Sequence, residues 1–255
     1  MAIAKSGETS DTILGGALTI VQPAAGYRFS IDSILLANFA RPRKQDRVLE
    51  LGCGCGVIAA TIAMMHQPRA IVGIELQRDL AECAQRNAAI NKLDAMTVIR
   101  ADLRDRKIAG IEPDSFAYVV ANPPYRASRH GRESPNASRR IARGGDGASL
   151  RDFIAAASRF TTGNGKVAMI FTATRTAELI AELKAKAFEP KRIRFVHPYA
   201  HEPASTVMIE ARKGAGIEAQ VEPPLIVWER AGVYSAEARA ILNCEAADAS
   251  PITSR

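Results

Sequence analysis

The sequence predicts an α/β fold with a doubly wound, mostly parallel seven-stranded sheet, helices on both faces and one antiparallel edge strand. From about residue 47 onward, short apolar runs alternate with segments of helical periodicity. This alternation is typical of parallel strands that helices cover on both sides. Two late apolar runs follow each other without a helix between them, which predicts a hairpin-like pair and therefore one antiparallel strand.

Strands are predicted where a short, mainly apolar run ends in a polar or glycine-rich turn. Helices are predicted where apolar residues recur with a helical period, as at Leu80, Cys83 and Ala84. The predicted strands are 48–51, 70–75, 96–100, 116–121, 166–172, 193–197 and 206–211. The predicted helices are 34–39, 57–65, 77–91, 150–160 and 176–186, the first with Asp32 as its N-cap.

Composition narrows the class of protein. A chain of 255 residues with 47% hydrophobic residues can bury one large core, or a core with a small appendage. No apolar run approaches the ~18 residues of a membrane helix, and the N-terminus lacks an apolar signal core. The four cysteines show neither a CxxC pair nor the spacing of a zinc site. We therefore expect a cytoplasmic protein with reduced thiols, no metal, no membrane association and no obligate protein partner.

Basic residues cluster in two segments of a chain whose net charge is +7. The first segment directly follows Tyr125, and the second, 184–194, spans a helix end and the next strand. A generically basic soluble protein would also be positive, but cations packed beside a candidate site favour contacts with phosphate groups. The predicted phosphate contacts of an RNA partner are Arg126, Arg129, Arg132, Arg139, Arg140, Arg143, Lys191 and Arg192.

A glycine-rich loop follows the first predicted strand and opens a helix. Residues 50–56 read Glu-Leu-Gly-Cys-Gly-Cys-Gly, a pattern that allows a sharp turn and the close approach of a ligand to the main chain. Val57 stands where a dinucleotide-binding Gly-x-Gly-x-x-Gly motif has its last glycine, which argues against NAD. The acid before the glycines indicates S-adenosyl-L-methionine instead, because its ammonium group favours a nearby carboxylate. We expect Glu50, Gly52, Gly54 and Gly56 to bind this cofactor.

Two further acids follow strand ends. Glu75 ends the second predicted strand, where a carboxylate can accept hydrogen bonds from both ribose hydroxyls of the cofactor. Asp102 follows the third, where an acid can accept a hydrogen bond from the adenine amine. Glu75 could instead cap the next helix, and Asp102 could cap a turn. Ligands of open α/β sheets bind at the carboxyl ends of strands, which favours the cofactor role for both.

The fourth strand ends in Asn122-Pro123-Pro124-Tyr125, a sequence suited to methylating the nitrogen of a flat NH2-bearing group. The lone pair of such a nitrogen is delocalised, so it is a poor nucleophile. Two acceptors, the Asn122 side-chain oxygen and the Pro123 carbonyl, would favour a pyramidal nitrogen with a directed lone pair. The prolines restrict the backbone, and Tyr125 offers a face for stacking. An ordinary strand exit punctuated by prolines is the alternative interpretation.

These motifs resemble a known family. Residues 48–125 resemble a class I S-adenosylmethionine-dependent methyltransferase with a Rossmann-like sheet, and most of 12–240 resembles the tRNA(Val) adenine-N6 methyltransferase family. The glycine loop and Asn-Pro-Pro-Tyr specify only the superfamily, and the narrower resemblance depends on 22–37, 189–198 and 223–225. One departure is Gly144-Gly145, where many relatives carry a His-Glu pair after Ala-Arg.

The resemblance implies roles for particular residues. Gly52, Gly54, Glu75 and Asp102 would hold the cofactor, and Asn122, with Pro123 and Tyr125, would form the catalytic group while also contacting the cofactor. Tyr27, Arg28 and Asp32 would lie near the methionine end of the cofactor or close over the site. On this basis, residues 1–46 form an N-terminal module that caps the active site, 47–212 form the methyltransferase domain, and 213–255 form a C-terminal extension with a frayed tail.

Three functions remain possible at this point. The first is methylation of the N6 amine of an adenine in RNA, most simply tRNA beside the anticodon. The second is protein glutamine-N5 methylation of a release-factor-like protein, which poses the same chemical problem; such enzymes usually carry a sizeable helical domain before the cofactor fold, and only 47 residues precede Val48 here. The third is a non-catalytic RNA-binding module on the same fold. DNA methylation is disfavoured, because no room remains for a separate target-recognition domain.

Overall fold

Parallel strands form the centre of the protein in the computed structural model, which describes residues 4–25, 28–125 and 147–243. Central strands are buried on both faces, which explains why their sequences read as continuous apolar runs. The strands are β1 (Glu8–Ile13), β2 (Leu18–Pro23), β3 (Arg47–Leu51), β4 (Ala70–Glu75), β5 (Met96–Arg100), β6 (Phe116–Ala121), β7 (Thr161–Thr172), β8 (Phe188–His197), β9 (Thr206–Lys213), β10 (Gln220–Val221), β11 (Leu225–Ile226), β12 (Trp228–Arg230) and β13 (Val233–Tyr234).

The main sheet has the order β10-β8-β9-β7-β6-β3-β4-β5, and β11 also pairs with β8. Strands β3 to β7 run parallel to one another, whereas β9 is antiparallel to both β7 and β8. Two separate hairpins, β1-β2 and β12-β13, lie outside this sheet. A mostly parallel sheet is therefore confirmed, and it is two short strands wider than the seven that the sequence predicted.

Helices cover both faces of the sheet, as predicted. Helices α1, α2, α3 and α6 share one apolar core with one face, and α4 and α5 share a second core with the other. Helix α4 begins with a capping box, in which Ser149 and Asp152 satisfy each other's backbone N–H groups. The helices are α1 (Ile31–Phe39), α2 (Val57–His66), α3 (Arg78–Ile90), α4 (Leu150–Phe160), α5 (Thr176–Lys184) and α6 (Ala236–Asn243), with a short 3-10 turn at Ala173–Arg175.

The antiparallel strand does not lie at the edge, so that part of the sequence prediction is wrong. Strand β9 is inserted between β7 and β8, and its first six residues are buried. Strand β8 lies outside it and is mostly half-buried, in keeping with its Lys191, Arg192 and Arg194. The apolar strand of the hairpin therefore takes the interior position, because it buries more apolar surface there.

Two N-terminal features also differ from the prediction. Helix α1 begins at Ile31 with Ser30 as its N-cap, so Asp32 lies in the first turn and does not cap the helix. The β1-β2 hairpin was not predicted, because the alternating, half-exposed residues of β1 carry a weak apolar signal. Asn87 on α3 ties this hairpin to the fold through hydrogen bonds with both backbone groups of Val21. The three-segment division of the chain stays a proposal.

Candidate active site

A pocket lies at the carboxyl ends of the central strands. Leu51 of β3 pairs with Ile74 of β4 and with Ala121 of β6, so the segments that follow these strands leave the sheet at one level. The glycine loop, Glu75 and the Asn-Pro-Pro-Tyr segment therefore meet at one edge. The pocket is lined by Phe29, Ser33, Glu50, Gly52, Cys53, Cys55, Val57, Ile58 and Asn122.

The glycine loop has a backbone that other residues adopt only with strain. Gly52, Gly54 and Gly56 have φ values of 66°, 56° and 81°. A Cβ atom on Gly56 would lie 2.7 Å from Cε of Met96 and 3.1 Å from Cβ of Ala84, so the loop packs tightly against β5 and α3. The loop is thus tightly packed beside the pocket.

Glu50 is a buried carboxylate beside the loop, with 1% of its surface exposed. Its Oε2 accepts a hydrogen bond of 2.8 Å from the backbone N–H of Ala59 in α2. Burial raises the pKa of Glu50 to about 8, and the nearby Glu75 carboxylate adds to the shift. Within the part of the chain that the structure describes, no cation pairs with Glu50.

Glu75 is also buried, and it supports the glycine loop directly. Its Oε2 accepts a hydrogen bond of 2.8 Å from the N–H of Gly54, and its Oε1 accepts one of 2.8 Å from the N–H of Gln77. Burial raises the pKa of Glu75, whereas these backbone hydrogen bonds lower it. Each carboxylate oxygen has a further acceptor site, so Glu75 can still bind hydroxyl donors. Neither acid pairs with a cation in the described ranges, so the pair suits a ligand that carries hydroxyl groups and a positive charge, and that charge would favour the ionised form of Glu50.

The raised pKa of Glu50 predicts how the stability of the ligand-free protein changes with pH. Between its ordinary pKa and about 8, the unfolded carboxyl loses its proton while the folded one keeps it, so the free energy of unfolding falls as pH rises. We expect Glu50→Gln, which retains an acceptor for Ala59, to remove about 2–3 kcal/mol of this fall between about pH 5 and pH 7. Urea unfolding at both pH values measures the difference. Glu82→Gln, at an exposed position on α3, serves as the control, and parallel pH profiles for the wild type and Glu50→Gln would contradict the assignment.

Asp102 follows β5, next to the end of β4, as predicted. Its carboxylate accepts hydrogen bonds from Nε and Nη2 of Arg104, the closest at 2.6 Å. The Arg104 guanidinium lowers the pKa of Asp102. Asp102 is therefore ionised and engaged by Arg104, and its contact with an adenine amine stays a prediction.

Asn122 follows β6 and lines the pocket. Its side-chain amide makes no hydrogen bond with any residue in the described parts of the chain, so both its oxygen and its NH2 group can bind a ligand. Pro123 is buried and Pro124 half-buried behind it. Tyr125 donates a hydrogen bond of 2.9 Å to Asp32, and its ring packs edge-on against Phe171.

The three N-terminal candidates for the site, Tyr27, Arg28 and Asp32, differ in their surroundings. Burial raises the pKa of Asp32, which accepts the hydrogen bond from Tyr125. Arg28 binds the β1-β2 hairpin instead, through Thr9 at 2.8 Å and Asp11 at 3.2 Å. Tyr27 lies outside the described residues. Arg28 therefore makes structural contacts here, and its predicted role toward the cofactor stays untested.

The predicted phosphate contacts fall into two groups. Arg126, Arg129, Arg132, Arg139, Arg140 and Arg143 lie outside the described residues, as do Gly144 and Gly145. Arg192, by contrast, is largely buried and contacts Glu222, Glu210 and the carbonyl of Phe39. Lys191 donates to the carbonyls of residues 216–218. Both residues therefore make structural contacts within the protein, and their predicted contacts with phosphate groups stay predictions.

Sequence reasoning did not single out several residues of the site. Phe29, Ser33, Cys53 and Cys55 line the pocket, although their apolar or small side chains gave no chemical signal. Burial raises the pKa values of both thiols, so they are protonated and unreactive. Arg175, in the turn after β7, donates a hydrogen bond of 3.1 Å to the carbonyl of Tyr125. Only its place after a strand end could have drawn attention to it.

No group of His, Cys, Asp and Glu residues within 4–25, 28–125 and 147–243 could hold a metal ion. Among the helices in those ranges, none is long and apolar enough to cross a membrane.

Sequence comparison places this chain among methyltransferases. The profile of the methyltransferase small domain family matches residues 29–188. A tRNA1(Val) (adenine(37)-N6)-methyltransferase from Tolumonas auensis is 27% identical over 221 residues, which cover 86% of this chain and 89% of the relative. The enzyme of the same name from Porphyromonas gingivalis is 26% identical over 227 residues, covering 86% and 88%.

Structure comparison finds the same architecture. A predicted O-methyltransferase from Agrobacterium tumefaciens superposes with a TM-score of 0.68 at 23% identity, covering 84% of this chain and 97% of the other. TYW2 from M. jannaschii, in complex with AdoMet, superposes with a TM-score of 0.56 at 15% identity, covering 82% and 86%. At these identities the likeness is one of fold.

Proposed function

Because this chain belongs to the methyltransferase small domain family, we propose that it transfers the methyl group of S-adenosyl-L-methionine to the N6 amine of an adenine in tRNA, next to the anticodon. In support, relatives that carry this activity in their names align with 86% of the chain. A tRNA substrate also implies a cytoplasmic enzyme.

The observation that carries the proposal is the Asn122 amide beside the glycine loop. Its polar atoms are not taken up by the described protein, and they lie in a pocket shared with Glu50 and Gly52. An amide so placed can accept a hydrogen bond from an NH2 group. The Pro123 carbonyl follows at once in the chain and lies beyond Ala121, the last residue of β6.

The chain's own residues align the acceptor nitrogen. Asn122 Oδ1 and the Pro123 carbonyl would each accept one hydrogen of the adenine amine, which turns the nitrogen lone pair toward the methyl donor. Tyr125 would stack on the base after it leaves its helical stack. Most of the rate enhancement would come from this alignment. The methylated amine becomes acidic as the bond forms and can lose its proton to water, so no dedicated base is needed.

The cofactor fits the residues of the pocket. When bound, S-adenosylmethionine supplies an electrophilic methyl group on a sulfonium centre. Its ammonium group would favour the ionised form of the buried Glu50, and the oxygens of Glu75 would accept hydrogen bonds from its ribose hydroxyls. Gly52, which lines the pocket without a Cβ atom, would allow the cofactor to approach the main chain.

The direct test is mass spectrometry of nucleosides from tRNA that has been incubated with the protein and labelled cofactor. We expect labelled N6-methyladenosine to appear only when both protein and cofactor are present. If the tRNA stays unlabelled and a release-factor-like protein is methylated on glutamine, the protein is a glutamine-N5 methyltransferase and the RNA function is wrong. If neither substrate is labelled and S-adenosylmethionine does not shift the thermal unfolding temperature, the chain is a non-catalytic module.

The arginines of 126–143 should make RNA binding steeply dependent on salt. Single-stranded contacts release roughly 0.7 counterion per phosphate, so about three to five contacts give a log–log slope of about −2 to −3.5. We expect Arg139→Gln with Arg140→Gln to make this slope shallower and to raise the KM for tRNA, without changing the affinity for the cofactor. Fluorescence anisotropy with labelled tRNA at several salt concentrations measures the slope.

A control for this experiment removes two charges that glutamates already neutralise. Arg78 pairs with Glu82 and Arg151 pairs with Glu182, both near the surface. Arg78→Gln with Arg151→Gln should leave the slope close to that of the wild type. Equal slopes for all three proteins would show that the 126–143 arginines do not contact the phosphates.

A further inference from the structure

Tyr125 is held by contacts from both faces of the sheet. Its hydroxyl donates a hydrogen bond of 2.9 Å to Asp32 on α1. Helix α1 packs in the core of one face of the sheet. Its ring contacts Phe171 at a centroid distance of 5.8 Å and packs against the core of the other face. Its carbonyl accepts a hydrogen bond of 3.1 Å from Nη1 of Arg175. Contacts with Asp32, Phe171 and Arg175 thus fix the end of the Asn-Pro-Pro-Tyr segment.

Arg175 is itself tightly restrained. Its Nε and Nη2 donate to the two carboxylate oxygens of Glu178 at 2.7 and 2.6 Å. Its guanidinium lies 4.8 Å from the ring centroid of Phe171. Because Glu178 holds Nε and Nη2 and the guanidinium lies against Phe171, the direction of Nη1 is fixed. Nη1 donates its hydrogen bond to the carbonyl of Tyr125.

Asp32 is also held in place beside Tyr125. It lies in the first turn of α1, where the core residues Leu35 and Leu36 fix the helix against α2 and the sheet. One of its carboxylate oxygens, Oδ2, is the acceptor for Tyr125. The contact joins the N-terminal helix to the segment that ends β6, over 93 positions of sequence.

The proline pair between Asn122 and Tyr125 has restricted backbone angles, so the segment behaves as a short stiff rod. The β6 ladder fixes one end at Ala121, and Tyr125 fixes the other. We infer that Asp32 and Arg175 are positioning residues, which act through Tyr125 to set the direction of the Asn122 amide and the Pro123 carbonyl. The inference rests on the proposed function for the reaction that these groups serve.

The test separates turnover from cofactor binding. Asp32→Leu, which cannot accept the hydrogen bond, should lower kcat roughly 10-fold while the Kd for S-adenosylmethionine changes less than about threefold. Asp32→Asn, which can accept it, should restore most of kcat. Tyr125→Phe should match Asp32→Leu, and the double variant should be no slower than either single variant, because both remove the same hydrogen bond.

Arg175→Met should lower kcat to a similar extent. Its control is Arg151→Met, which breaks an exposed Arg–Glu ion pair to the same helix, at Glu182, without touching Tyr125; this variant should keep the wild-type kcat. The inference fails if Asp32→Leu raises the cofactor Kd more than 10-fold at unchanged kcat, or if the effects of Asp32→Leu and Tyr125→Phe multiply. Tyr125→Phe is nearly isosteric and keeps the test valid if Asp32→Leu does not fold.

The double-mutant cycle of Asp32→Leu and Tyr125→Phe can also be measured through stability, without an activity assay. In urea unfolding, the midpoint of the double variant should equal that of the lower single variant, whereas additive shifts would exclude the Tyr125–Asp32 contact. A wild-type protein that labels no tRNA would overturn the proposed function alone, and the unfolding cycle would still decide whether Asp32 holds Tyr125.

Discussion

Replacing Asn122 with alanine is expected to lower the rate of methyl transfer by about 100-fold or more while leaving cofactor affinity nearly unchanged. The amide lies at the end of β6 in the same pocket as Glu50 and Gly52, and it has no hydrogen-bond partner in the described protein. Its loss removes one of two acceptors that orient the reacting nitrogen, whereas the cofactor contacts of the glycine loop remain. Single-turnover methylation with saturating cofactor measures the effect.

The control for this variant is Asn164→Ala, at an exposed position of β7 where the side chain binds Arg212. It should methylate at the wild-type rate. Single-turnover rates for Asn122→Ala equal to those of the wild type would rule out the acceptor-pair mechanism. A large rise in cofactor Kd would instead move Asn122 from the acceptor side of the pocket to the cofactor side.

Replacing Glu75 with alanine is expected to weaken S-adenosylmethionine binding by about 2–3 kcal/mol, the loss of charge-assisted hydrogen bonds to two ribose hydroxyls. The structure adds a second reason, because Glu75 also holds the N–H groups of Gly54 and Gln77. Without it the glycine loop loses a support as well as a ligand contact. Isothermal titration calorimetry at fixed pH measures the change in Kd.

Two comparisons separate these contributions. Glu75→Gln keeps one acceptor oxygen and should fall between the wild type and Glu75→Ala in affinity. Glu82→Ala, on the exposed surface of α3, should bind as the wild type does. A folded Glu75→Ala protein with an unchanged dissociation constant would remove Glu75 from the binding site.

The sheet was predictable because its buried strands are apolar on both faces. β3, β4 and β6 are short runs of this kind, each ending in a polar or glycine-rich segment, and the structural likeness to known methyltransferases confirms the class I fold. The place of β9 was not predictable from local sequence. Which member of a hairpin lies inside depends on partners far away, here β7, about 40 positions earlier in the chain.

The site was predictable where a residue type and a strand end coincide. Glu50, Gly52 and Asn122 meet in one pocket for this reason. A sequence does not show which cations already have partners within the protein. Arg192 is neutralised by Glu210 and Glu222, which lie 18 and 30 positions away. Arg175 was missed for a related reason, since its role depends on the carbonyl of Tyr125, 50 positions earlier.

The insertion of β9 between β7 and β8 has a consequence for the order in which the chain is assembled during its synthesis. β8 emerges from the ribosome before β9, yet β9 is the strand that joins it to β7 and the rest of the main sheet. Its other described neighbours, β10 and β11, come later still. The strands beside the glycine loop and the Asn-Pro-Pro-Tyr segment, β3, β4, β6 and β7, are complete in sequence by Thr172, whereas β8 can join the sheet only after the residues of β9 have been synthesised.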